Sequence, residues 1–212
     1  MKNRVEQRNI SNALLRQEAI KALNNKGNAS GLAGCVNSNG SSSKTTQDGV
    51  LYFVGEVTDG GKINLFEAIV QETSASRVGL TNFDGNKLAA GSNAVLDAIS
   101  IEVATTNDTD GHPDMKGLDY SESADPAIKA AEFRFTVDGK EKINIPVYEI
   151  HNANSTRTND EKYRELGHLP IIEALQQVEA WFNFPSGVAP SGADGKRHYV
   201  KVSLRRNQTV SR

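Results

Sequence analysis

The sequence predicts a mostly β protein whose main body is an antiparallel β-sandwich. Short runs of alternating apolar and polar residues recur along the chain, and clusters of Gly, Asn, Asp and Ser separate them. An Asp-Gly pair, a strong short-range signal for a β-hairpin, joins two of these runs. The first 49 residues lack such alternating runs. We therefore divide the sequence into four parts: a helical arm (1–25), a flexible linker (26–49), a sandwich domain (50–205) and a tail (206–212).

Three segments alternate most clearly, and we interpret them as strands: 50–57 (VLYFVGEV), 94–105 (AVLDAISIEVAT) and 198–205 (HYVKVSLR). In the last segment Val200, Val202 and Leu204 share one face, which we expect to be buried. Residues 62–72 fit either a strand or a short helix, and 77–83 is a further candidate strand. Together with the Asp-Gly hairpin, these segments favour a sandwich of about seven strands.

The hairpin segment AEFRFTVDGKEKINIPVYEIH (131–151) raises a question of parity. A two-residue turn at Asp138 and Gly139, followed by regular strands, would place the apolar residues of the two strands on opposite sides of the sheet. A three-residue turn of Val137, Asp138 and Gly139, with Gly139 in the left-handed conformation of a bulge, removes this conflict. We therefore expect the three-residue turn.

That turn fixes the register of the hairpin, with Thr136 opposite Lys140 and Phe133 opposite Ile143. Five apolar residues then share one buried face: Phe133, Phe135, Ile143, Ile145 and Val147. The opposite face is polar and solvated, and it carries Arg134, Thr136, Lys142 and Asn144.

One segment near the carboxyl end, 170–182, is predicted to be a short helix that interrupts the strands. Pro170 stands at its start, where proline is favoured at the first helical position. Four apolar residues follow at helical spacing: Ile171, Leu175, Val178 and Phe182.

The amino-terminal arm is rich in helix-forming residues and is basic. Residues 1–26 contain six Lys or Arg against two Glu, a net charge of +4, although the whole chain carries −2. Four cations are the candidates to face a partner: Arg4, Arg8, Arg16 and Lys21. The linker that follows is dominated by Gly, Ser, Asn and Thr, and such a composition buries too little apolar surface to offset the entropy of ordering.

The sequence also bears on the compartment. No apolar run approaches the roughly 20 residues that span a bilayer, and the amino terminus lacks the apolar stretch of a signal peptide. The single cysteine, Cys35, excludes an internal disulfide and fits a reducing compartment. We therefore expect a protein made in the cytoplasm.

Motifs for chemistry are sparse. The chain has no nucleophile elbow, no metalloprotease helix motif and no dinucleotide-binding glycine motif, so we predict that it is not an enzyme. The best candidate binding site is the acidic loop 107–119, in which Asp108, Asp110 and Asp114 surround Gly111. Such carboxylates can hold a hard cation such as calcium. A solvated acidic loop is the alternative interpretation, because the full ligand set of an EF-hand loop is missing.

The densest aromatic cluster is WFNFPSG (181–187), with Trp181, Phe182 and Phe184. Aromatic residues in such a cluster either close a core or subunit interface, or stack on a sugar or a base. We favour the core or interface interpretation.

The layout of the whole chain resembles that of a viral capsid protein of the jelly-roll type, in particular one from a bacteriophage. The shared features are a basic helical arm, a polar linker, a sandwich and an Arg-bearing tail with Arg205, Arg206 and Arg212. Representative strands are VLYFVGEV, FRFTVDGKEKINIPV and HYVKVSLRR.

The resemblance implies a single jelly roll and a structural subunit that self-assembles into a virion shell through its sandwich and arm. The implied partners are copies of the same chain, other virion proteins, and nucleic acid or anionic lipid that the arm contacts. One alternative stays open. In that alternative the chain is a calcium-dependent carbohydrate-binding or adhesin-like sandwich, in which the loop 107–119 holds calcium and Trp181 or Tyr120 stacks on sugar.

Overall fold

The computed structural model describes seven ranges of the chain: 44–57, 62–66, 78–89, 92–107, 115–151, 162–190 and 196–211. These residues form two antiparallel sheets and few helices, which confirms the predicted mostly β class. The arm and residues 26–43 of the linker lie outside the described residues. Within the seven ranges, no helix has both the length and the apolar character needed to cross a membrane.

The described residues contain nine strands: β1 (Lys44–Val57), β2 (Lys62–Asn64), β3 (Ala94–Thr106), β4 (Glu132–Val137), β5 (Lys140–Pro146), β6 (Arg164–Glu165), β7 (Ile171–Ile172), β8 (Val178–Asn183) and β9 (Arg197–Ser211). Two short helices, α1 (Pro126–Ala130) and α2 (Val147–Ile150), flank the β4–β5 hairpin. Helix α1 begins where Asp125 caps it, because the Asp125 carboxylate accepts a hydrogen bond from the Ala127 amide at 2.7 Å.

The strands form two sheets whose order is not the order of the sequence. The first sheet has the order β1-β9-β3-β6, and β7 also pairs with β3. The second sheet has the order β2-β8-β4-β5. The chain therefore crosses between the sheets repeatedly, and its first and last strands pair along their whole length.

One hydrophobic core contains residues from both sheets. The first sheet contributes alternate residues of its central strands, including Ile101 of β3 and Val202 of β9. The second sheet contributes Phe133 and Phe182, whose rings meet edge to face at 5.9 Å between centroids. Strand β4 thus buries one face between the sheets, as the alternation of its sequence predicts. Strand β3 is instead buried on both faces over residues 94–101, and both residues of β6 are exposed.

The β4–β5 hairpin corrects the predicted turn. Asp138 and Gly139 form a two-residue turn closed by the pair Val137 and Lys140, and their φ values of 48° and 71° are those of a type I′ turn. The expected three-residue turn and its register are therefore wrong. The turn is tied to the neighbouring strand, because the Asp138 amide and carboxylate bond to the carbonyl and amide of Gln177 at 2.8 and 3.0 Å.

With regular strands, a two-residue turn would place the apolar residues of β4 and β5 on opposite sides of the sheet, but a bulge three residues beyond the turn prevents this. Phe135 pairs with Ile143 while Thr136 pairs with Glu141, so Lys142 is the extra residue. Phe133 and Phe135 therefore face the same side as Ile143, and all three are buried. Gly139 has the positive φ that the sequence predicts, although the irregularity lies elsewhere.

The helix predicted at 170–182 is wrong. The segment forms β7, a turn and β8, and Leu175 within the turn is exposed with a φ of 64°. In β8 the buried residues are Val178, Ala180 and Phe182, which alternate with half-exposed ones. The helical spacing arises by coincidence, because the apolar residues belong to two strands on either side of a turn.

Two predicted boundaries also shift. Strand β1 begins at Lys44, so residues 44–49 of the predicted linker belong to a strand, and β9 continues to Ser211 through most of the predicted tail. The two extensions pair with each other, with Lys44 opposite Ser211. Strand–strand hydrogen bonds join backbone groups, so polar composition does not prevent this pairing. Residues 78–83 of the candidate strand at 77–83 instead form turns and bends, with an isolated bridge from Thr81 to Phe53.

The glycine in the hairpin turn provides a test of the turn geometry. Replacing Gly139 with Val should destabilise the protein by about 1–3 kcal/mol, because a β-branched residue is strained at positive φ. The loss is measured as a lower midpoint of urea unfolding. Gly167→Val is the matched control, since Gly167 has open space and lacks a left-handed backbone. Equal midpoints for the two variants would contradict the turn described here.

A second glycine, Gly55 of β1, is required by close packing. A methyl group at this position would lie 2.9 Å from the Leu65 carbonyl oxygen and 3.0 Å from the Leu65 Cβ. Gly55→Ala should therefore lower stability by about 1–3 kcal/mol through overpacking. The control Gly49→Ala meets only the flexible Arg206 side chain, at 3.4 Å. A midpoint for Gly55→Ala at or above that of Gly49→Ala would rule out this account of the packing.

Candidate functional site

The outer face of the first sheet carries a polar pocket with a volume of about 520 Å³. This volume lies in the range of small-molecule sites. We call it the tyrosine pocket and define it by its lining residues: Val50, Tyr52, Glu102, Lys162, Tyr163, Lys201, Ser203 and Arg205. All but two of these residues come from β1, β3 and β9, and Lys162 and Tyr163 immediately precede β6.

The pocket exists because small residues form the centre of this face. Ser203 of β9 lies between Tyr52 of β1 and Ser100 of β3 in register. Residues two positions apart on a strand share a face, so Lys201 and Arg205 flank Ser203 on the same side. The two serines leave a hollow in the middle of the sheet, and the longer side chains around them form its walls.

Tyr163 forms one wall and closes over the hollow. Its hydroxyl is in hydrogen-bond contact with the Ser203 hydroxyl, and the ring lies 5.8 Å from the Arg205 guanidinium. Burial, as the main cause, raises the pKa of Tyr163, and the nearby Glu102 carboxylate acts in the same direction. Tyr163 therefore keeps its proton at neutral pH and offers a neutral hydroxyl to the pocket.

A β-bulge positions Arg205. In β3 the pairing with β9 shifts between Leu96 and Ala98, so Asp97 is the extra residue. The Asp97 side chain is only 7% exposed, and its Oδ1 accepts a hydrogen bond from Arg205 Nε at 2.8 Å. This charge-assisted bond holds the guanidinium at one end of the pocket.

Lys201 provides the cation at the other end. Its ammonium group lies 6.0 Å from the Tyr52 ring centroid and 5.8 Å from that of Tyr120. No carboxylate of the described residues lies within ion-pairing distance of it. Glu102, its cross-strand neighbour, instead pairs with Lys162 at 3.9 Å. Of the three cations in the lining, Arg205 is paired with Asp97 and Lys162 with Glu102. Lys201 has no carboxylate partner among the described residues, and this favours a negatively charged ligand.

The residues singled out in the sequence lie elsewhere. Phe182 and Phe184 are buried in the core, whereas Trp181 faces outward from the second sheet. The Lys62 ammonium covers the Trp181 ring at 4.0 Å from its centroid, and the indole nitrogen donates to Glu179 at 3.3 Å. Trp181 and Tyr120 are the two residues proposed to stack on sugar. Of these two, only Tyr120 lies near the tyrosine pocket.

Two further sets of predicted residues lie outside the described ranges. They are the arm cations Arg4, Arg8, Arg16 and Lys21, and the candidate calcium ligands Asp108, Asp110 and Asp114. Within the described part of the chain, no group of three or more His, Cys, Asp or Glu side chains is arranged to hold a metal ion.

Sequence reasoning missed the tyrosine pocket, although part of its signal is visible. In HYVKVSLR the residues between the buried Val200, Val202 and Leu204 are Lys201 and Ser203, with Arg205 next. Such a polar face is typical of any half-buried strand. Only the pairing of β9 with both β1 and β3 brings Tyr52 and Glu102 to the same face.

The fold and the pocket define a mostly β protein of two antiparallel sheets with a cationic pocket on one outer face. A comparison of the chain with known protein families finds no matching family model, and a search of curated proteins finds no significant relative.

The Asp97–Arg205 pair should stabilise the fold more than a surface pair does. Asp97→Asn is expected to lower the free energy of unfolding by about 1–3 kcal/mol, because the Arg205 guanidinium loses its buried counter-charge and keeps only a weaker neutral hydrogen bond. The control is Glu56→Gln, which removes the more exposed pair with Arg197 at 3.6 Å and should cost less than about 1 kcal/mol. Chemical unfolding measures both. A larger loss of unfolding free energy for Glu56→Gln than for Asp97→Asn would contradict the stabilising role assigned to the Asp97–Arg205 pair.

Proposed function

We propose that the protein is a jelly-roll shell subunit of a virion, one that assembles with copies of itself. The observation that carries this proposal is the nested pairing of its strands. β4 pairs with β5, β3 with β6 and β7, β2 with β8, and β1 with β9. A chain folded as one long hairpin and then wound into two sheets has this pairing, and that winding produces a double-sheet jelly roll.

The surface of the body supports assembly through faces and loops. The outer strand β5 carries Lys140, Glu141 and Lys142 and ends at Pro146. Charged residues and proline on an outer strand oppose uncontrolled strand addition. Three of the four large exposed apolar side chains of the described residues stand on loops and a short helix: Val78, Tyr148 and Leu175. The fourth, Val50, lies on β1 and is the least exposed of them.

Among these exposed side chains, Leu175 lies on the best-defined loop. The loop that carries it is fixed by the hydrogen bonds from the Leu175 amide to the Leu88 carbonyl and from the Ala174 amide to the Asn93 side chain. An exposed leucine at positive φ is unfavourable in an isolated subunit. Burial against a neighbouring copy would offset that cost.

The arm is the proposed connector between copies. We propose that residues 1–25 form a basic helix. An isolated helix of about 20 residues is marginal in water, so this helix needs a surface to pack against. The first 26 residues carry +4 and the rest of the chain carries −6, so the arm of one copy is complementary in charge to the body of another. Its Arg4, Arg8 and Arg16 would otherwise face phosphates of nucleic acid or anionic lipid.

Light scattering after size-exclusion chromatography, with negative-stain electron microscopy, tests the proposal on the full chain. Closed particles or symmetric rings of uniform size are expected. A protein that stays monomeric up to high concentration would overturn the proposal, and calcium-dependent glycan binding by that monomer would favour the adhesin-like alternative.

The contribution of the arm is tested by charge reversal. Arg4→Glu, Arg8→Glu and Arg16→Glu together should abolish regular particles while the body stays folded, because the arm no longer complements an acidic surface. Deletion of residues 1–25 should have the same effect. The matched control reverses three exposed lysines of the body, Lys87, Lys116 and Lys140. Normal particles from the arm variants would contradict the role assigned to the arm.

A further inference from the structure

We infer that the tyrosine pocket binds an acidic sugar, a ligand with one carboxylate and several hydroxyl groups. This inference concerns the outer face of a single folded chain and does not depend on assembly into a shell. It rests on the geometry of the pocket and on the mixture of groups that line it.

The first requirement concerns charge. Lys201 is half-buried between two tyrosine rings, and no carboxylate of the described part of the chain pairs with it. A partly desolvated ammonium group gains more from an anion than an exposed one does. The anionic group of the ligand therefore belongs beside Lys201.

The second requirement concerns hydrogen-bond donors on the ligand. Glu102, with its side chain 23% exposed, lines the same pocket and can only accept hydrogen bonds when ionised. A simple anion would be repelled by this carboxylate. A ligand that also carries hydroxyl groups can donate to Glu102, and it can exchange hydrogen bonds with the hydroxyls of Tyr163 and Ser203.

The third requirement concerns size and shape. The volume of about 520 Å³ is larger than one carboxylate fills, and it suits one or two sugar rings. The walls include the rings of Tyr52 and Tyr163, and a tyrosine ring offers an apolar surface beside a polar hydroxyl. A sugar ring has the same combination of apolar C–H and polar O–H groups.

Saturation-transfer NMR with glucuronic acid tests the inference, because the method works for both monomers and large particles. Glucose is the matched neutral probe, since it differs from glucuronic acid only where the carboxylate stands. We expect transfer to the ring protons of glucuronic acid and at least about tenfold weaker binding of glucose, as expected for loss of one charge-assisted hydrogen bond.

Variants locate the site. Lys201→Met should weaken glucuronic acid binding about tenfold or more, and Lys201→Arg should retain it because the charge remains. Lys140→Met, on the β4–β5 hairpin, is the control and should bind normally. Val50 lies on the rim and is 36% exposed, so Val50→Trp blocks the pocket without disturbing the core and should also abolish binding.

Three results would overturn the inference. Equal transfer to glucose and glucuronic acid would exclude recognition of the carboxylate. Unchanged binding by both Lys201→Met and Val50→Trp would place any sugar elsewhere on the protein. Displacement of glucuronic acid by an equal concentration of acetate would show that the pocket recognises charge alone, and the assignment of a sugar would then be wrong.

Discussion

The pairing of β9 with β1 on one side and β3 on the other is the constraint on which the rest of the structure depends. Strand β9 is the last described segment of the chain, yet it occupies the interior of the first sheet. Its residues Val200, Val202 and Leu204 point into the core, and Lys201, Ser203 and Arg205 line the tyrosine pocket. Core and pocket are therefore two faces of one strand. The pairing of β1 with β9 joins segments that are far apart in the sequence, so this sheet belongs to the slowly forming class of topologies.

Local patterns in the sequence identify most strands but not their neighbours. The alternation of 50–57, 94–105 and 198–205 predicts three strands correctly, because burial of one face imposes a period of two. The same reasoning fails at 170–182, where apolar residues of two strands happen to fall at helical spacing across a turn. The pocket could not be predicted for a different reason. It combines Tyr52, Glu102 and Lys201 from three strands, and only the order of the sheet brings them together.

The two bulges show that the need to bury apolar residues on one shared face can break the regular pairing of two strands. In β5 the extra Lys142 lets a two-residue turn coexist with a shared apolar face. In β3 the extra Asp97 has the same effect, because Leu96 and Ile99 are three residues apart and still both reach the core. A bulge changes the direction in which the side chain of its extra residue points. The Asp97 side chain holds Arg205, which links the shape of the sheet to the charge of the pocket.

The outer faces of the two sheets differ in how their charges are matched. On the second sheet Arg134 pairs with Glu132 at 2.9 Å and lies 3.7 Å from Glu141. The Lys62 ammonium covers the ring of Trp181, and Glu179 accepts a hydrogen bond from the indole nitrogen. The hydrogen bond to Glu132 raises the pKa of Arg134. These contacts match the charges around Arg134 and Trp181 within the second sheet itself. On the first sheet the half-buried Lys201 has aromatic neighbours but no carboxylate partner among the described residues, and its surroundings are concave. The hollow beside Lys201 therefore gains more from an anion than the internally paired surroundings of Arg134 do.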